Sequence, residues 1–305
     1  MELRHFRYFC AVAEEMHVTR AAARLLVAQP ALTQQIKALE AELGTKLLRR
    51  VGRGIELTEA GRAFWREAQA ILDAVRDAAL TAQRTARGLA GRLAIGLTET
   101  ASFAVPVTGL LKVARERWPQ VELSLNQGRS EDLVAALLNR RIDIAFMRSP
   151  APEMATLQWR PFLAEGIVVV APDTHSLAVQ RSIKVSALGG TPIVLPRGRG
   201  GYATMRAQIA TAFARAGHEL RIVQETPEYV MAINLAAAGI GLALVPAVLT
   251  GLRRDGVVYR PLHCTPPLRT EIIVVNRIGD PAPTVANFLA LATELAPRSR
   301  MKSPA

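Results

Sequence analysis

The sequence predicts an α+α/β protein, and three observations predict it. Val18–Leu43 reads as two short helices joined by a tight turn, followed by a basic loop and a short returning strand. A long, uninterrupted amphipathic segment comes next, from about 59 to 88. From Arg92 onward, short apolar runs alternate with amphipathic segments over about 200 residues, the pattern of α/β sheets covered on both faces. At that length two lobes fit better than one. The 305 residues are half hydrophobic, enough to bury several cores and too apolar for a disordered chain.

Each N-terminal element has its own justification. Leu3, Phe6, Cys10 and Ala13 recur at steps of three, four and three, so a first helix presents one apolar face. Thr19–Leu25 is a second helix, and its alanines Ala21, Ala22 and Ala23 allow close crossing. In the third, Leu32, Ile36, Leu39 and Leu43 form the buried stripe, while Gln29, Thr33, Gln34 and Lys37 fall away from it. Pro30 fits the first turn, where a missing N–H costs little. Exposed amides, a hydroxyl and a lysine on a supported helix suit the DNA major groove, with Arg20 on the preceding helix joining the candidate contacts. Gly44 stops the helix. Arg49, Arg50 and Arg53 then lie on a loop loosened by Gly52 and Gly54, with Gly54–Leu57 returning as a strand. Such a basic wing suits phosphates or a narrow minor groove, and its position directly after the polar helix favours this over a merely solvated loop.

Thr58 is an N-cap and Glu59 puts negative charge in the first turn of the long helix. Phe64, Ala68, Ile71, Val75, Ala78, Ala82, Thr85 and Leu89 alternate steps of four and three, a seam that predicts a helix pair and hence a dimer. Gly88–Gly91 reads as a hinge.

Met1–Phe64 resembles, without a gap, the N-terminal region of LysR-type transcriptional regulators. TRAAARL, AQPALTQQIKALEAELG, LLRR and LTEAG carry the resemblance, in order and at the family's spacing. The remainder is similar more loosely to the family's effector-binding domain. The resemblance implies a winged helix-turn-helix domain over 1–58, a linker and dimerisation helix over 59–88, and a regulatory domain over 89–305. It further implies two lobes like those of periplasmic solute-binding proteins, crossed by two strands. Lobe I would hold about 92–161 and 267–300, and lobe II about 162–266. The implied partners are double-stranded promoter DNA, a small-molecule effector, RNA polymerase and further copies of the chain in a dimer of dimers, all in the cytoplasm.

Within the C-terminal part, LAIGL, VELSLN, DIAFM, IVVVA, PIVL, IVQE, LALV, VVYR and EIIVV read as strands. Residues 105–117, 131–139, 202–216, 229–238 and 284–295 read as helices. Ligands of open α/β sheets bind past the carboxyl ends of strands, which selects four segments: Thr98–Ser102, Gly128–Ser130, Arg148–Ser149 and Pro196–Tyr202. Their hydroxyls and helix N-termini form an anion site to which Arg148, Arg197 and Arg199 add charge, so an anionic effector is the charge-based expectation. In similar regulators the positions matching Thr100, Ser130, Arg148 and Gly201, Tyr202 and Ala203 line or flank the inducer pocket; Thr98 and Ser102 complete the candidate set. The plainer readings are helix caps for Thr98 and Ser102, a structural ion pair for Arg148 and a surface loop for PRGRGG. Glu99 stands where the family commonly has a small residue, and argues against a crowded carboxylate unless it points away or pairs with arginine.

No GxSxG, Walker loop, HExxH or spaced Cys/His cluster is present, so neither an enzyme nor a cofactor or metal site is expected. An α/β enzyme with an appended DNA-binding domain and an architectural DNA binder are the alternatives. The net charge of +12 suits an anionic partner, but residues 1–58 hold only nine Lys/Arg against six Asp/Glu, so the motif carries the argument. Cys10 and Cys264 lie far apart and read as free thiols of a reducing compartment. The early charges Glu2, Arg4 and Arg7 argue against a signal peptide. The uncharged run Val230–Leu252 is interrupted by Gly239, Gly241 and Pro246, and reads as core rather than a membrane span.

Overall fold

The computed structural model describes residues 1–51, 54–148, 156–198, 201–252, 254–280 and 282–297. It falls into two compact units, Met1–Arg84 and Thr85–Ala305.

The first unit opens with α1 (Leu3–Glu15), α2 (Val18–Arg24) and α3 (Gln29–Leu43). Phe9, Val12, Ala21, Ala22, Leu32, Ile36 and Leu39 pack into one core, so the predicted stripe of α3 does face inward. Strands β1 (Leu48–Val51) and β2 (Gly54–Leu57) pair antiparallel as the predicted wing. Helix α4 (Glu59–Ala86) is capped as expected, the Gly61 N–H donating to Thr58 Oγ1 at 2.9 Å. A Cβ on Gly61 would lie 2.1 Å from the Leu47 carbonyl oxygen, so only glycine lets α4 cross the chain entering the wing.

The sequence suggested one buried face on α1, but the helix has two. Phe9 and Val12 enter the three-helix core, while Phe6 and Cys10 pack with Ala68 of α4. Phe64 stacks on Phe6 at 5.6 Å and meets Phe9 edge-on at 5.2 Å. The first two positions of the expected dimer seam are therefore covered by the chain's own α1. Beyond them α4 is open: Gly61 and Ala68 are its only buried residues, and Ile71 and Leu80 are exposed.

The second unit begins with β3 (Ala90–Leu97), the short α5 (Glu99–Ser102), α6 (Val105–Arg117), β4 (Gln120–Gln127), α7 (Ser130–Leu138) and β5 (Ile144–Arg148). It continues through β6 (Leu157–Pro172), β7 (Ile183–Lys184), β8 (Ile193–Pro196), α8 (Gly201–Arg215), β9 (Ile222–Thr226) and α9 (Tyr229–Ala237). It closes with β10 (Leu242–Pro246), β11 (Val257–His263), β12 (Arg269–Arg277) and α10 (Pro283–Leu295). The strand order is β4-β3-β5-β12-β6-β10-β8-β9, with β11 on β6 and β7 on β11. Two cores form. One lies between β3, β5 and helices α6 and α10, around Ile95, Leu110, Phe146 and Phe288. The other lies around Val169, Val194, Phe213, Ile233 and Leu244. This is the two-lobed arrangement.

Among the described strands, parallel pairing holds within each lobe, for β4-β3-β5, for β10-β8-β9 and for β11-β7. Where the chain passes between lobes, β12 and β6 run antiparallel to their neighbours. The expected strand IVVVA is the second half of the 16-residue β6. Its first half was not expected because Pro161 and Gly166 interrupt the apolar pattern; Pro161 instead faces a bulge at Ile272/Ile273 of β12.

The expected hinge begins with a glycine packed on the start of α10, within the second unit. Gly88 is buried at φ +68°, a Cβ there would sit 2.5 Å from the Pro283 backbone, and Asn287 Nδ2 donates to the Arg87 carbonyl at 2.9 Å. Residues 229–251 form α9, β10 and a 3-10 turn, as the core reading requires. Among the described residues no helix is long and apolar enough to cross a membrane.

Candidate functional site

The first candidate surface is the outer face of α3. Gln29, Pro30, Gln34 and Lys37 are exposed and Thr33 is half-buried, while Leu32, Ile36 and Leu39 on the opposite side are buried. Thr19 Oγ1 donates to Gln29 Oε1 at 3.5 Å, and Thr33 Oγ1 donates to the Gln29 carbonyl at 2.9 Å, leaving the threonine's lone pairs outward. Gln35 turns inward to His5 Nε2 at 2.9 Å. Arg20 is exposed but donates to the Glu15 carbonyl. On the wing, Arg49 pairs with Glu56 at 2.8 Å and Arg50 is exposed; Arg53 lies outside the described residues.

The support for this surface includes a residue that sequence reasoning missed. Glu40 is buried and accepts the backbone N–H groups of Leu47 and Leu48 at 3.0 and 3.1 Å, and Lys46 Nζ at 2.7 Å. It ties the end of α3 to the wing. A polar residue inside an amphipathic pattern looks solvent-facing until the fold supplies its donors.

The second candidate is a cleft of about 320 Å³ at the strand ends of the second unit. Thr98, Thr100, Ser130, Arg148 and Tyr202 line it, as do Glu99, Gln127, Arg129, Asp132 and Glu228. Three of the four expected segments thus converge, after β3, β4 and β5. The fourth contributes Tyr202 at the start of α8. Ala203 faces a separate hollow with Arg197, Arg206 and Glu225, and Ser102 is not among the cleft's described lining residues. The Ser102 hydroxyl donates to the Glu99 carbonyl at 2.6 Å. Ser149, Arg199 and Gly200 lie outside the described residues.

Arg148 is buried and bonded on three sides. Its Nε donates to Thr100 Oγ1 at 2.8 Å, Nη1 to Thr270 Oγ1 at 2.9 Å, and Nη2 to Glu165. Glu165 also accepts the Val248 N–H, so the pair joins β5, β6 and the turn after β10. Arg148 is therefore the structural ion pair that the plainer reading described, at the wall of the cleft. Ser130 Oγ donates to the Arg148 carbonyl at 3.3 Å.

Glu99 lines the cleft and bonds toward α9. It accepts the N–H groups of Tyr229 and Val230 at 3.2 Å each, placing a carboxylate on the N-terminus of that helix. Burial pushes its pKa up, the Val230 N–H draws it down, and Glu228 pushes it further up. Tyr202 stands edge-on to Tyr229 at 5.1 Å; burial, then Glu99 and Glu228, raise its phenol, which stays protonated. Glu165 and Thr270 were invisible to sequence reasoning because their partner Arg148 lies 17 and 122 positions away, across strands not foreseen.

Cys10 is free, and burial followed by Glu14 and Asp73 pushes its thiol to about 11, which leaves little nucleophilic thiolate at neutral pH. Cys264 is also free. Among the described residues no group of three or more His, Cys, Asp or Glu could hold a metal ion.

Two family models match. One, described as bacterial regulatory helix-turn-helix protein, lysR family, covers residues 3–62. The other, described as LysR substrate binding domain, covers residues 86–297. The chain is 37% identical to the transcriptional regulator BudR of Raoultella terrigena, over 95% of this chain and 100% of that protein. It is 34% identical to the transcriptional regulator AlsR of Bacillus subtilis, over 96% and 95% respectively. Among solved structures, full-length CbnR complexed with its target DNA aligns with a TM-score of 0.84 and 28% identity, over 97% of this chain and all of that one.

Proposed function

The chain belongs to the LysR family of bacterial transcriptional regulators, non-enzymatic proteins that join a DNA-binding helix-turn-helix to an effector-binding domain, and from that premise we propose how its residues divide the work. Gln29, Thr33, Gln34 and Lys37 read base edges from α3 in the major groove. Pro30 and Arg20 set the helix against the duplex. Arg49, Arg50 and Arg53 of the wing hold phosphates or the minor groove. Thr98, Thr100, Ser130 and Tyr202 receive the effector between the lobes, with Arg148 as a fixed wall. Residues 1–58, 59–88 and 89–305 act as reader, pairing helix and sensor.

The observation that carries this reading is the division of α3, with its apolar side buried in the three-helix core and its amides and lysine exposed. A helix held so rigidly offers hydrogen-bonding groups at fixed spacing, which base readout requires. A palindromic operator needs two such helices, so the open part of α4 from Ile71 onward pairs subunits. Two dimers then assemble on promoter DNA in the cytoplasm, and effector binding alters how they present the DNA to RNA polymerase.

The test is a footprint of the full chain on its own upstream region, with and without candidate metabolites. A protected palindrome whose pattern shifts with one metabolite supports the reading; protection without sequence preference returns it to an architectural DNA binder. Ile71→Glu should lower the assembly state in sedimentation while leaving the fold of the first unit intact. An unchanged assembly would remove α4 as the pairing helix.

A further inference from the structure

The described lining of the cleft carries more carboxylates than guanidinium groups. Three features could answer an anion there, and the chain's own carboxylates already engage two of them. Arg148 is bound by Glu165, with Thr100 and Thr270 taking its other donors. The N–H groups at the start of α9 are bound by Glu99. The start of α7 carries Glu131 and Asp132 in its first turn, and both line the cleft. The lining among the described residues holds four carboxylates, Glu99, Glu131, Asp132 and Glu228, against Arg129 and the paired Arg148. Arg129 is exposed at the rim, next to Glu131 and Asp132 in sequence.

Resting on the reading of this cleft as the effector site, we propose that its effector is a small amine, whose ammonium group is received by the carboxylate of Glu99. Each Glu99 oxygen accepts one backbone N–H at 3.2 Å and keeps a second lone pair for another donor. An ammonium there completes the bonding of a buried carboxylate that has no cationic partner among the described residues, and so relieves the cost of holding that charge out of water. Because Glu99 comes from one lobe and α9 from the other, a ligand on Glu99 acts on the contact that joins them. A carboxylate ligand would instead meet four carboxylates, with only Arg129 and the already paired Arg148 to offset them, and find the start of α9 occupied.

The experiment uses the full chain and matched probes: butylamine and putrescine against butyrate and succinate, read by thermal unfolding and calorimetry up to tens of millimolar. The expected result is stabilisation by the amines, with apparent affinity about tenfold or more above the acids. Glu99→Ser should abolish the amine response and create a response to the acids, since the Tyr229 and Val230 N–H groups become vacant. Gln127→Trp, which narrows the cleft, should abolish both. Acids that stabilise the wild type and lose their effect in Gln127→Trp would overturn the amine proposal and leave the cleft reading standing. An amine response surviving both variants would overturn the cleft reading too. No amine response in the wild type overturns the proposal.

Discussion

The face of α3 and the cleft proposed for the effector solve opposite problems with the same residue types. On α3, Gln29, Gln34 and Lys37 are exposed, and the partners that will satisfy them come from outside. At the cleft, Arg148, Thr100 and Glu99, with Glu165 and Thr270 behind them, are bonded to one another or to backbone before any ligand arrives. Exposed polar groups cost little when unpartnered, so a DNA-reading face needs only a stiff backbone behind it. Buried polar groups must be bonded or they destabilise the fold, so a cleft must hold a network in which the ligand adds a member.

That contrast can be broken at its strongest point first. Arg148→Met should destabilise the second unit by about 3–5 kcal/mol, because it strands Glu165 in the core. Arg148→Met with Glu165→Leu should recover most of that loss. Denaturant unfolding of the full chain checks both, and equal losses would mean the pair is not a closed unit. In the first unit, Gly61→Ala should cost about 1–3 kcal/mol, since the new methyl meets the Leu47 carbonyl and α4 must shift. An unchanged first thermal transition would show that the crossing is looser than its geometry.

On the DNA face, single changes should leave stability alone and alter binding. Gln29→Ala or Thr33→Ala should relax base preference at one or two operator positions, at about 1–3 kcal/mol per lost contact. Arg50→Ala should weaken binding to every sequence and flatten its salt dependence. Titrations on matched and mismatched operators at several salt concentrations separate the two, and identical behaviour would dissolve the division between reading and holding.

The smallest effect concerns pH. Burial raises the folded-state pKa of Glu99 above its ordinary value, so the folded chain holds this proton more tightly than the unfolded one. Its contribution is therefore full below the ordinary carboxylate pKa and is lost as pH rises through the folded value. Lowering the pH from neutrality toward the carboxylate range should shift the melting temperature of the wild type upward relative to Glu99→Gln. A parallel pair of curves would mean that Glu99 is already solvated.

The legibility of the two regions differs for the same reason. Leu32, Ile36 and Leu39 announce the inner face of α3 by helical spacing, and the outer face is what remains. The cleft was legible as a rule about strand ends, which selected Thr98, Thr100, Ser130 and Arg148, while Ala203, suggested by the resemblance, lines a separate hollow. Arg148 itself was visible, yet its occupation by Glu165 was not, because Pro161 and Gly166 hid the first half of β6. The dimer seam shows the same limit: Phe64 and Ala68 fit a heptad, and nothing local says that α1 already covers them.

By itself the sequence determined which stretches are helix, strand and wing, which side of α3 is apolar, and the family to which the whole arrangement belongs. Those follow from periodicity, capping and turn chemistry, forces that act between near neighbours in the chain. Only the tertiary structure decided which charges are free. Glu40, Glu99 and Glu165 become anchors because folding takes them out of water, and a buried carboxylate must find donors wherever the fold provides them.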